Sequence, residues 1–255
     1  MAVAVTSSTS QTVLNYKNSG SGTQTYSIAT SGDNRGLIVF VQSSMASGLA
    51  GSPPASVVYD GTDMVSESNA AIADVRSTAY SLINPSTGTN NLVITWPAAT
   101  VNHILTDTIS FSGVSQSDMV SNITTTTGSS TNTLNLDVTS PASDSIVVAG
   151  ISVTLFTAWG NRNITVGTGE NAAGGSITDT DFAAASYDDA EEDLSTNLVF
   201  SCDGGANCVM IAFSVDGPPP TDFAAVNGIA IGDIQAFNGI ANSNVQEINN
   251  IANKA

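Results

Sequence analysis

The densest group of potential metal or acid–base ligands in the chain is acidic. Asp179, Asp181, Asp188, Asp189, Glu191, Glu192 and Asp193 crowd one stretch. Ca²⁺ needs six to eight oxygen ligands, and Asp179-Thr180-Asp181 with the acidic run 188–193 could gather some of them. The Asp-x-Asp spacing lacks the remainder of an EF-hand loop, so a solvated acidic loop is the preferred reading. A two-carboxylate glycosidase would need a flanking aromatic platform, and none is visible. His103 is the sole histidine, within Val101-Asn102-His103-Ile104-Leu105. No Gly-x-Ser-x-Gly nucleophile motif accompanies it, and it reads as a strand or edge residue without a catalytic role.

Cys202 and Cys208 are the two cysteines, and they flank Asp203-Gly204-Gly205-Ala206-Asn207. Strand-like residues 197–202 and 208–215 surround them, which predicts a β-hairpin with the cysteines at the mouth of its loop. Facing cysteines there could form a disulfide if their Cβ atoms approach, and two small buried thiols are the alternative. Two sulfurs with no second pair do not complete a zinc site. Tyr59, Tyr80, Trp96 and Trp159 could form a sugar-stacking surface, although aromatics at strand positions are more often core. Trp159, in a loop-like context, is the best of these for exposure. The expectation is therefore a chain without a catalytic site or cofactor, with Ca²⁺ at residues 179–193 as the single metal candidate.

The elements that must carry these residues read as strands. Charged residues make up 11% of the chain and hydrophobic ones 41%, with Ser, Thr, Asn and Gly filling the polar quota. That profile suits an all-β domain with Ser/Thr-rich faces. Residues 35–41 are a continuous apolar run, which predicts a strand buried on both faces. Residues 56–59, Asp60-Gly61 and 62–65 predict a compact hairpin. Residues 77–83 alternate with Thr78, Tyr80 and Leu82 on one face, 84–90 are a turn cluster, and 91–96 form a strand stopped by Pro97. Segments 101–105 and 108–111 follow. Leu134, Leu136 and Val138 share one face of an alternating segment, residues 145–153 form a buried strand, and 164–166 a short one. Some dozen short strands with turns between them predict an antiparallel β-sandwich, jelly-roll-like, over residues 1–216. Gly217-Pro218-Pro219-Pro220 opens a stiff linker at 217–222, and a tail at 223–255 follows.

The tail repeats with a period of eleven. Asn227-Gly228-Ile229-Ala230 returns as Asn238-Gly239-Ile240-Ala241, and a shorter third copy ends the chain. Val226, Ile229, Ile234, Phe237, Ile240, Val245, Ile248 and Ile251 form its apolar stripe. An eleven-residue apolar repeat on a helix would supercoil right-handedly, but Gly228 and Gly239 would each cost about 1 kcal/mol there. Asn-Gly is a turn signal, which favours short turns and extended pieces wrapped with partner chains. So short a segment cannot bury the stripe alone. Oligomerisation, with three copies around an axis as the natural solution, or docking on a larger particle is expected; folding back on the β domain is the alternative.

Two parts of the sequence resemble known proteins. The strings at 35–41, 58–61, 82–89, 93–96 and 109–114, with 209–215 as a closing strand, are similar to a β-sandwich module of secreted bacterial proteins and phage structural proteins. The Asn-Gly-Ile-Ala repeat resembles C-terminal segments of tailed-phage virion proteins of the capsid-decoration and fibre type. The resemblance implies a structural subunit on the outer surface of a virion, with the capsid and copies of itself as partners. A tail fibre recognising host-surface glycans is the alternative it leaves, and an exported adhesin subunit a further one.

Charge narrows the partners. The net charge is −17, with Lys17, Lys254, Arg35, Arg76 and Arg162 as the fixed cations. Nucleic-acid binding needs clustered cations, and the sequence has none. The same acidity disfavours anionic membrane surfaces. The first residues carry neither a basic n-region nor a long apolar stretch, so no signal peptide or membrane span is expected.

Overall fold

The structure is a computed structural model. It describes residues 3–13, 22–44, 52–97, 103–139, 145–154, 164–166, 171–172, 177–178, 182–189 and 195–218, with the backbone alone at 10–13, 103, 130–132, 139, 154 and 164–206. The chain divides into two units, Met1–Gly217 and Pro218–Ala255. The repeat tail, including Val226, Ile229, Ile234, Phe237, Ile240, Val245, Ile248 and Ile251, lies outside the described residues, as does Trp159.

The described residues form strands and connections without a helix, and all the strand pairings are antiparallel. A five-stranded sheet takes β1 (Ala4–Val13), β3 (Gly36–Ser44), β6 (Val65–Ile72), β7 (Val75–Ile83) and β9 (His103–Ser112), in the order β1-β9-β3-β7-β6. A four-stranded sheet takes β2 (Gly22–Thr30), β4 (Ser56–Tyr59), β5 (Thr62–Asp63) and β8 (Gly88–Trp96), in the order β2-β8-β4-β5. The chain passes back and forth between these two sheets from β1 to β9, as expected of a sandwich. The third sheet is built from β10 (Val120–Thr139), β11 (Ile146–Thr154), β13 (Asn171–Ala172), β15 (Phe182–Asp189) and β16 (Ser195–Val215), with β12 (Ile164–Val166) on β16 and β14 (Ile177–Thr178) on β15.

The five-stranded sheet is the middle layer, and its sequence shows why. Every residue of β3 is buried, because side chains alternate across a strand and both faces of this one are apolar. Leu37, Val39 and Val41 enter a cluster with Val57, Tyr59, Leu92, Ile94 and Trp96 of the four-stranded sheet. Ile38 and Phe40 face the other way, into a cluster with Ile146, Val148, Ile211, Phe213 and Val215 of the seven-stranded sheet. The rings of Phe40 and Phe213 lie 5.5 Å apart, tilted at 31°. The expected sandwich therefore carries a third layer.

That third layer has a second core on its far face. Val147, Ala149, Ile151 and Val153 of β11 meet Cys208, Met210 and Ala212 of β16 and Leu134, Leu136 and Val138 of β10. The ladder between β10 and β16 shifts register around Ser121, Gly128 and Thr131. Bulges of this kind bend a strand and increase its twist, so distant halves of one long ribbon can contribute to one core.

Several sequence expectations are corrected. The two segments at 101–105 and 108–111 are one strand, β9, which runs unbroken against β3 from Ser44↔His103 to Gly36↔Phe111. The acidic stretch is not simply a loop: Phe182–Asp189 is β15, paired along β11 from Thr154↔Phe182 to Val147↔Asp189. The hairpin at 203–207 is absent, because β16 runs continuously through it. Between the Thr131↔Ala206 and Thr133↔Ser201 pairs β16 carries three more residues than β10, so the small residues at 203–205 form a bulge in β16 itself.

Candidate functional site

The cysteines lose their hairpin geometry. Cys202 and Cys208 sit six positions apart on one continuous strand, with Cys202 opposite Ile164 and Cys208 opposite both Gly128 and Val153. The segments that carry them pair with β10, β11 and β12 rather than with each other, so the cysteines do not face one another across a hairpin. Cys208 is a buried thiol outside any disulfide.

The described aromatics Tyr59, Tyr80 and Trp96 do not gather on a surface. Tyr59 and Trp96 are fully buried between the first two sheets. The Trp96 indole N–H donates to Gln24 Oε1 at 3.1 Å, and the Tyr59 hydroxyl donates to the Ile28 carbonyl at 3.2 Å. Both are core residues with their polar ends satisfied, as buried Tyr and Trp require. The His103 backbone opens β9 beside Ser44. Among the described residues no group of three or more His, Cys, Asp or Glu could hold a metal ion. Asp179, Asp181, Glu191, Glu192 and Asp193 lie outside the described residues.

A polar layer is buried where sequence reading gave none. Gln42, Ser77 and Asp107 are fully buried. They follow the Phe40 face of the middle sheet, with Gln42 opposite Ser77 and Asp107 opposite Phe40. Nearby, Ser152 Oγ donates to the Arg76 carbonyl at 2.9 Å, and Asn207 Nδ2 donates to Asp74 Oδ1 at 3.3 Å. These groups make the contact between middle and third sheets apolar toward Ile38 and polar toward Ser44.

At one end of the domain, Arg35 joins three loops. Its Nε donates to the Pro85 carbonyl at 2.8 Å, Nη1 to the Gly32 carbonyl at 2.9 Å and Nη2 to Asn84 Oδ1 at 2.9 Å. Its own carbonyl accepts from the Asn84 N–H at 2.9 Å and from Gln116 Nε2 at 3.3 Å. One of the two described cations is thus spent on a structural clasp.

Among the described residues, a cleft of about 330 Å³ lies where the chain crosses from β5 to β6. Val57, Met64, Tyr80 and Pro54 supply buried walls, and Ser56, Asp63, Ser66 and Asn69 supply polar ones. The crossing is fixed by the Met64 N–H donating to the Val57 carbonyl at 2.9 Å, and the proline segment by the Ala55 N–H donating to the Thr95 carbonyl at 2.7 Å. A bulge between Ser66 and Ser68 interrupts the β6–β7 ladder here. Arg76 Nη1 donates to Asn69 Oδ1, which leaves the Asn69 amide N–H groups as donors. Burial pushes the Tyr80 phenol above its usual range, against smaller opposing effects of Thr78 and Arg76. Burial also lowers the Arg76 guanidinium, with Tyr80 opposing. Of the four aromatics weighed for a sugar-stacking surface and read as more often core, Tyr80 lines this cleft. Its other lining residues carry no sequence motif. The Pro53-Pro54 pair before β4 was the one local signal that could have marked the place.

No family model matches the chain, and no curated protein matches it.

Proposed function

We propose that this protein is a non-enzymatic structural subunit of a tailed-phage virion, a capsid-decoration or head-fibre protein. Residues 1–216 form the displayed β domain, and the repeat at 223–255 is the device for self-association and attachment. The observation that carries this reading is the apolar stripe from Val226 to Ile251, set on an eleven-residue period behind a proline-rich joint. Such a stripe is stabilised only when it leaves water, and obligate interfaces bury apolar surface much as domain cores do. Three copies around an axis, or one copy on the capsid, would do so. A net charge of −17 keeps a densely displayed array soluble.

The decisive experiment deletes residues 223–255. The shortened protein should remain folded by circular dichroism and become monomeric in mass photometry, and it should no longer attach to particles. A truncated chain that still assembles and attaches would overturn the proposal.

A second reading, recognition of host-surface glycans by the β domain, draws support from the cleft beside Tyr80, which has an apolar floor and a polar rim.

A further inference from the structure

We infer that the cleft between β5 and β6 is a binding site for one ring of a neutral glycan. The inference rests on the second reading above and gives it a place and a chemistry. Its volume of about 330 Å³ is at the small end of ligand sites, which run from about 300 to 1,000 Å³. It therefore suits a single compact ring rather than an extended polymer.

A sugar ring presents two kinds of surface, C–H faces and a girdle of hydroxyls. The cleft offers matching partners for both. Tyr80, Met64 and Pro54 form apolar walls that are already buried, so a ring can shed water against them without ordering loose side chains. Hydroxyls are each donor and acceptor, and the rim is mixed accordingly. Asp63 supplies a carboxylate acceptor, Ser66 a hydroxyl, and Asn69 amide donors. Arg76 holds Asn69 by its carbonyl oxygen, which fixes the direction of those donors. The β-bulge at Ser66/Ser68 lies at this rim, and bulges re-aim side chains next to functional sites.

Charge chooses the class of glycan. The carboxylate of Asp63 is exposed at the rim, while Arg76 is engaged with Asn69. A sulfated or sialylated ring would meet that carboxylate and a net charge of −17, so a neutral hexose or N-acetylhexosamine is the expected ligand.

The test uses the full-length chain with methyl glucoside, methyl galactoside, methyl mannoside and N-acetylglucosamine as probes. Binding is followed by saturation-transfer NMR and by amide shifts on labelled protein. At least one glycoside should shift the amides of Met64, Asn69 and Tyr80. Asn69→Ala should weaken that binding about tenfold, as expected for about 1.4 kcal/mol. Ser66→Trp, made at an exposed position and checked for folding by its melting curve, should abolish it. Glycoside binding with shifts elsewhere, unchanged by Ser66→Trp, would overturn this site and leave glycan recognition standing. Absence of binding by all four glycosides and by a neutral-glycan array would overturn both.

Discussion

At Gly150 the middle and third sheets approach closely. A Cβ there would lie 2.5 Å from Phe40 Cδ1 and 2.8 Å from Gln42 Nε2. Gly150→Ala should therefore cost about 1–3 kcal/mol, the range for overpacking a filled core, read as a lower urea midpoint. Phe40→Ala should cost about 3–5 kcal/mol by leaving a cavity against Phe213. The thiols offer a sharper residue-scale test. Without any reductant, maleimide should add to both cysteines after denaturation, and Cys208 should stay protected in the native protein. A single-step mass showing no adducts would restore the disulfide. Tyr80 gives a pH signature. Its folded phenol holds its proton above the usual range, so its contribution to stability is complete below the unfolded pKa. It is lost as pH climbs from about 10 toward the higher folded value. The urea midpoint should fall in that alkaline window, and Tyr80→Phe should flatten part of the fall.

At the scale of elements, local chemistry and burial pattern were largely readable in the sequence. The Asp60-Gly61 turn joins β4 to β5 with Tyr59 opposite Thr62, and both central residues have positive φ, 47° and 77°. That is the geometry a two-residue hairpin of this hand requires. Leu134, Leu136 and Val138 alternate with exposed neighbours as period two demands, and β3 is buried throughout. The reading failed where one strand passed through a local turn signal. Asp203-Gly204-Gly205 looks like a loop, yet it lies within β16 as a bulge, because the segments on both sides of it pair with the same strand, β10, instead of with each other. The acidic residues of β15 read as a solvated loop for a related reason: charge runs suggest loops, while a ladder partner is invisible in the sequence. Arg35 is a further case. Replacing it by Ala removes three charge-assisted hydrogen bonds, two of them to the turn at 84–85, and should cost about 1.5–3 kcal/mol. Arg35→Lys should not recover that loss, since an ammonium cannot reproduce the planar fork.

For the whole molecule, the sequence by itself determined the class: short apolar alternations, Thr-rich faces and frequent turns leave an antiparallel all-β domain as the way to bury this chain. It also set the net charge of −17 and the eleven-residue stripe on which the proposed attachment rests. Only the tertiary structure decided that the five-stranded sheet lies between two others. A strand buried on both faces announces two neighbours without saying which strands supply them. The fate of the aromatics was likewise decided there, since Tyr59 and Trp96 went to the core and Tyr80 to the wall of a cleft. The cleft itself joins Val57, Asp63, Asn69 and Tyr80 from four different strands or their ends. Spacing along the chain carries periodicity within an element, whereas a site assembled across elements depends on register and sheet packing, which are long-range.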